Sequence, residues 1–144
     1  LVSAALPSMS ALIARPVPVP LLLTDDATVR VRPAPSSVPA PMSDPAAVDP
    51  EEALVAAVSS CHMLFFLAIA RKHGLTITAY EDEAEGVMSP NAAGKLYIST
   101  ITLRPRISFD GPADPAVVDQ VHHLAHDECY LAHSVRADIL IQPR

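Results

Sequence analysis

The sequence predicts an α+β fold, an antiparallel sheet packed against two helices. Three observations carry this. The apolar run VAAVSSCHMLFFLAIA reads as one long buried helix. Two alternating stretches, LTITAY through Val87 and KLYISTITLRPRISF, flank a short Asn91–Gly94 turn and read as a hairpin with one polar face. A second helical pattern, VVDQVHHLAHDECYLAHSV, follows the hairpin, and an alternating run closes the chain.

The elements follow in order. Residues 1–20 carry no clear period, and ATVRVRP alternates well enough for one strand over Ala27–Arg32. Prolines at 33, 35, 39, 41, 45 and 50 make the next stretch an extended loop. The first helix opens at Asp49, a good N-cap, with Pro50 at the first helical position and Glu51 and Glu52 at the positive end of the dipole. Leu54, Val58, Cys61, Phe65 and Ala68 share one stripe, but the other faces are nearly as apolar, so the helix is expected to be covered all round. Gly74 ends it after Arg71, Lys72 and His73. In the hairpin's second strand, the apolar set Leu96, Ile98, Ile101, Leu103 slips register between Ile98 and Ile101, which predicts a bulge. Asp114 and Pro115 start the second helix, expected to reach about His133, and Val135, Ala137, Ile139 and Ile141 mark the last strand.

Composition bounds the function. The 144 residues suit one domain, and half of them are apolar, enough for a real core. The net charge of −6 argues against nucleic acid, whose phosphates want a basic face. Prolines and Arg15 interrupt the apolar patches near the N-terminus, no secretory signal is evident, and no membrane span is expected. These features predict a cytoplasmic protein, a setting in which a cysteine pair is more often catalytic than structural.

The chain has two cysteines, Cys61 in the first helix and Cys129 near the end of the second. Two readings stand on spacing alone. Both can be small core residues, or they can be a reversible dithiol, provided that a cation, donor or dipole helps one of them ionise. His122 and His126 share a helix face one turn before Cys129, which has the spacing of a metal half-site. The glutamate of an HExxH zinc motif is replaced there by His123, and a solvated histidine face is the plainer reading. The run 81–85, EDEAE, reads as a solvated face, as do Arg104 and Arg106 around Pro105.

DPEEALVAAVSSCHM, the hairpin ending LRPRISF, and HHLAHDECYLAHSV together resemble the OsmC/Ohr family of thiol peroxidases over about residues 43–144. The SCHM form, with LRPR and AHxxC, is similar to the OsmC-like branch rather than the organic hydroperoxide resistance branch. The resemblance divides the chain into an N-terminal segment, 1–35, unlike the family's N-terminal strands, and an OsmC-like domain, 36–144. It implies two intertwined subunits with central helices between curved antiparallel sheets, and active sites at the homodimer interface. Cys61 would then be the peroxidatic thiol and Cys129 the resolving one. Glu51, ten residues before Cys61, matches the family glutamate that holds an arginine against the thiolate. Arg30, or less well Arg32, is the candidate for that arginine. Tyr130 stands where the hydroperoxide resistance branch has proline.

The implied chemistry needs no metal and no cofactor. It takes an organic hydroperoxide as substrate and an external dithiol reductant, in the family often a lipoylated protein. Apolar neighbours such as Met63, Leu64 and Phe65 suit an alkyl substrate better than hydrogen peroxide. The rival reading is a non-enzymatic dithiol redox or His/Cys metal-binding protein on the same fold.

Overall fold

A computed structural model describes residues 48–144 in full and, before them, only the backbone of two strands at 17–18 and 27–31. The expectations for residues 1–16 and for the proline-rich loop over 33–47 lie outside the described residues. The elements run β1 (Val17–Pro18), β2 (Ala27–Val31), α1 (Pro50–Lys72), β3 (Ile77–Pro90), β4 (Leu96–Leu103), β5 (Pro105–Phe109), α2 (Pro115–Glu128) and β6 (Asp138–Ile141). This is the expected α+β plan of two helices and a sheet. The sheet is mixed rather than wholly antiparallel. β3 pairs antiparallel with β4 and β5, while β2 runs parallel to β3 and β6 parallel to β4. Local alternation predicts strands but not the direction in which a distant strand docks, and β2 and β6 both reach the sheet through helical connections.

α1 starts as its sequence dictates. Asp49 caps the helix by accepting from the Glu52 N–H at 2.8 Å, and Glu52 reaches back to the Asp49 N–H at 3.2 Å, a full capping box. Gly74, at φ +74°, turns the chain out just past the His73 C-cap. The inward stripe is Glu52, Val55, Val58, Ser59, His62, Met63, Phe66, Leu67 and Ala70. It is offset from the expected one, whose Leu54 and Ala68 are exposed. α1 is also long and apolar enough to cross a membrane, contrary to the expectation that no such run exists. Half of that apolar window is buried inside the protein, the position of a core helix.

The hairpin turn is held by Asn91, whose side chain accepts from the Ala93 and Lys95 N–H groups, with Gly94 at φ +72°. The predicted bulge falls at Ser99. Thr100 pairs with Val87 and Ile98 with Met88, and the Ser99 hydroxyl donates to the Val87 carbonyl. The single long strand expected from Lys95 to Phe109 is broken at Arg104. Pro105 has no N–H for the ladder, and the freed Arg104 N–H donates instead to the Asp82 carboxylate at 2.6 Å. β3 therefore bends, pairing with β5 through Ile77–Asp82 and with β4 through Glu85–Pro90.

EDEAE is a strand with two faces rather than a solvated run. Asp82 and Ala84 point inward. Glu81, Glu83 and Glu85 pair with Arg106, Arg144 and Arg104 at 3.5, 2.7 and 2.9 Å. One core joins α1, β3, β4 and α2 through Val55, Phe66, Tyr80, Ile101, Leu103 and Val121. α1 lies so close to β3 at Gly86 that a Cβ there would come within 2.6 Å of Val55, which explains the small residue in mid-strand.

Candidate active site

Helix α1 places Cys61 in its middle, half-buried, and α2 ends at Glu128 so that Cys129 is its C-cap, 1% exposed. The helix was expected to run on to His133. Instead the backbone extends at Cys129 and then turns through Tyr130–His133, with Ala132 N–H donating to the Cys129 carbonyl. The two thiols are neighbours across the α1–α2 contact, close enough for Cys61 to perturb Cys129, so the structure brings together the two residues on which the dithiol reading depends. Burial first, and the Cys61 thiol second, push the Cys129 thiol up to about 11. Asp127 and Glu128, adjacent in sequence, are exposed and are not among the causes.

A second contact spans the same segments. Phe65, one turn beyond Cys61, meets Tyr130, the neighbour of Cys129, edge to face at 5.1 Å. Tyr130 is 73% exposed. Met63 is fully buried in the core, so of the three apolar neighbours named from sequence only Leu64 and Phe65 reach the outer side of α1.

Glu51 and Glu52 are separated by the helix, as neighbours about 100° apart must be. Glu52 is buried and completes the capping box. Glu51 is half-buried and lines an open cavity of about 490 Å³ with Leu54, Met88, Tyr97 and Arg136. Ten residues at 1.5 Å each put the Glu51 Cα about 15 Å along the axis from Cys61, so within one chain Glu51 does not reach the thiols. Arg30 lies in β2 opposite Glu83 of β3. Its side chain is outside the described residues, as is Arg32.

Sequence reasoning missed His62 and misplaced His122. Both are buried, and their rings lie parallel, 2° apart, with His62 Nε2 3.2 Å from His122 Nδ1. Phe66 packs on His122 at 4.4 Å. Burial, then His122 and His126, lower His62 to about 3; burial chiefly, with His123 adding and Asp119 opposing, lowers His122 to about 4. The pair is therefore neutral. The one available sequence sign was the position of His62, beside Cys61 in an otherwise apolar run. His123 is exposed, 3.6 Å from Asp119, and only this histidine fits the solvated reading fully. Among the described residues, no three His, Cys, Asp or Glu side chains stand close enough to hold a metal ion. Ser59, two residues before Cys61, donates to the buried Asp82 carboxylate at 2.5 Å and anchors this stretch of α1 to β3.

Fold and thiols together define a class: an α+β protein built around a paired dithiol between two helices. The chain belongs to the OsmC-like family, whose model, described as OsmC-like protein, matches residues 43–144. An OsmC-like protein of unknown function from Vibrio cholerae is 43% identical, with a TM-score of 0.70 over 74% of this chain and 71% of that one. The organic hydroperoxide resistance protein OhrB of Bacillus subtilis is 18% identical, with a TM-score of 0.59 over 68% and 71% of the two chains. An OsmC-like protein from Mycoplasma pneumoniae is 16% identical, with a TM-score of 0.62 over 81% and 79%. The last two share the fold alone. No curated relative matches the chain.

Proposed function

We propose that the protein is a cytoplasmic, homodimeric hydroperoxide reductase that cycles Cys61 and Cys129 between dithiol and disulfide. The observation that carries this is the closeness of a half-buried and a fully buried thiol, Cys61 and Cys129, in a family that includes organic hydroperoxide resistance proteins. Cys61, the thiol with access, attacks the terminal oxygen of an organic hydroperoxide as thiolate. The O–O bond breaks, Cys61 becomes sulfenic acid, and the alkoxide takes a proton and leaves as alcohol. The Cys129 sulfur then displaces hydroxide, which leaves as water, and closes the disulfide. An external dithiol, a lipoylated protein by family resemblance, restores both thiols. The functional unit is the domain 36–144, to whose sheet the N-terminal segment 1–35 adds β2.

The test is to mix reduced protein with cumene hydroperoxide and count the remaining thiols. Rapid loss of both supports the reading. Retention of both, with zinc bound, favours the non-enzymatic His/Cys alternative and overturns it.

The homodimer rests on Leu54, Leu64, Val87, Leu96 and Tyr130, large apolar side chains exposed on the single chain. A second copy would cover them. Sedimentation at micromolar concentration should show a dimer, and a monomer counts against it.

A dimer would also let Glu51 serve a thiol that lies beyond its reach in its own chain. Arg30 is the arginine it would hold. Glu51→Gln should then slow reaction with hydroperoxide about tenfold or more, equivalent to about 1.4 kcal/mol in the barrier. Glu52→Gln keeps a residue suited to a capping box and should retain most activity. The reverse pattern in stopped-flow oxidation rates would shift the role to Glu52.

A further inference from the structure

Cys61 is ringed on its own helix by apolar side chains. The positions one turn before and after it hold Ala57, Val58, Leu64 and Phe65, and none of them carries a charge. Val58 belongs to the core, whereas Ala57 and Leu64 are exposed and Phe65 is half-buried. The segment facing Cys61 adds Tyr130, next in the chain to Cys129. Its ring meets Phe65 edge to face at 5.1 Å, yet the residue stays 73% exposed. Its backbone is fixed. Ser134 Oγ donates to the Tyr130 carbonyl at 2.7 Å, and the Ala132 N–H donates to the Cys129 carbonyl at 3.0 Å. Cys129 before it is buried, and Leu131 after it packs against the core. The turn therefore holds one aromatic ring on the outside, beside the thiol that has access. A ring kept for stability alone would bury more of itself, because the gain scales with the apolar area removed from water.

We propose that Leu64, Phe65 and Tyr130 form an apolar shelf beside Cys61 that selects hydroperoxides by their carbon end, with Tyr130 the specificity-determining residue and an aryl group its preferred ligand. The inference deepens the hydroperoxide reading and rests on it for the identity of the oxidant. A hydroperoxide has two ends. The O–O end must reach the Cys61 sulfur, and the carbon end then lies against whatever surrounds that sulfur. An alkyl group gains burial on the shelf. An aryl group gains in addition a ring contact with Tyr130, which Phe65 engages only in part. Hydrogen peroxide has no carbon end and gains neither, and a charged substituent finds no partner on this part of α1. A second copy lying over Tyr130 would roof the shelf and close it around the aryl group. The expected order of rates is cumene hydroperoxide, then tert-butyl hydroperoxide, then hydrogen peroxide.

Stopped-flow oxidation of the native chain and two variants tests this. In Tyr130→Ala the ratio of the cumene hydroperoxide rate to the hydrogen peroxide rate should fall about tenfold, the worth of one good ring contact. Tyr130→Phe, which keeps the ring, should hold the ratio near the native one. An unchanged ratio in a folded Tyr130→Ala overturns the shelf, and so does an equal loss with both oxidants. A second probe needs no hydroperoxide. Reduced protein is labelled at Cys61 with N-phenylmaleimide and with N-ethylmaleimide, and each rate is divided by that of N-acetylcysteine. The native chain should favour the phenyl reagent, and Tyr130→Ala should lose the preference. No preference in the native chain overturns the shelf even if the variant fails to fold. A preference that depends on Tyr130, without any reaction with cumene hydroperoxide, keeps the shelf and removes the peroxidase reading alone.

Discussion

Cys61→Ser should abolish turnover of cumene hydroperoxide, and Cys129→Ser should stop the cycle at a sulfenic acid on Cys61. The asymmetry follows from burial and contact. Cys61 lies half-buried on the outer flank of α1, where a hydroperoxide can approach, whereas Cys129 is 1% exposed behind it. Burial and the Cys61 thiol hold Cys129 protonated up to about 11, and the thiolate is the attacking form. Cys129 is thus suited to resolve a sulfenic acid already formed against it, and poorly suited to start. With one equivalent of hydroperoxide and dimedone as the trap, Cys129→Ser should carry one adduct, on Cys61. Cys61→Ser should remain almost unlabelled, and native protein should form the disulfide faster than dimedone intercepts it. Fast labelling of Cys129 in Cys61→Ser would reverse the two roles. No labelling in either would remove the peroxidase reading.

The parts of this site legible in the sequence are those set by local rules. Asp49, Pro50 and the two glutamates fix the start of α1 because capping depends on a few adjacent residues. Asn91 and Gly94 fix the turn, and the slip between Ile98 and Ile101 shows the bulge, because sheet alternation has a strict period of two. The inward face of α1 was not legible. An almost wholly apolar helix offers no polar stripe to mark its outside, so its pattern does not separate exposed Leu54 from buried His62. The end of α2 is not marked in the sequence, since no glycine or proline follows Glu128, and the helix stops where Cys129 takes an extended backbone. Asp82 was hidden in a run of acids because only β3's pairing shows that it points inward, to Ser59 and Arg104. The dithiol itself was half legible. Spacing left core packing and redox chemistry as equal readings, and the contact between the thiols is a property of how α1 and α2 cross.

Stability should fall steeply as the medium is acidified below about pH 6.5, through the buried histidine pair. In the unfolded chain each titrates near 6.5; in the fold His62 is lowered to about 3 and His122 to about 4. Between those values the unfolded state binds more protons than the native state, so stability rises with pH and is lost as pH falls. The loss begins near 6.5 and continues until the folded pair itself protonates, near 4 for His122 and 3 for His62. Each histidine contributes about 1.4 kcal/mol per pH unit across its window, so the two together cost several kcal/mol by pH 4.5, a large share of ordinary domain stability. Asp82 acts in the opposite sense. Burial raises its carboxyl above 3.8, so its protonation stabilises the fold as pH falls toward that value. One carboxyl offsets only part of what two histidines lose. Urea unfolding at fixed protein concentration should therefore show a midpoint far lower at pH 4.5 than at pH 7.5. In a folded His62→Leu, His122→Leu double variant, the drop over the same interval should shrink to a fraction of the native one. An undiminished drop in that variant would place the acid sensitivity elsewhere and show that the buried pair accepts protons without loss of the fold.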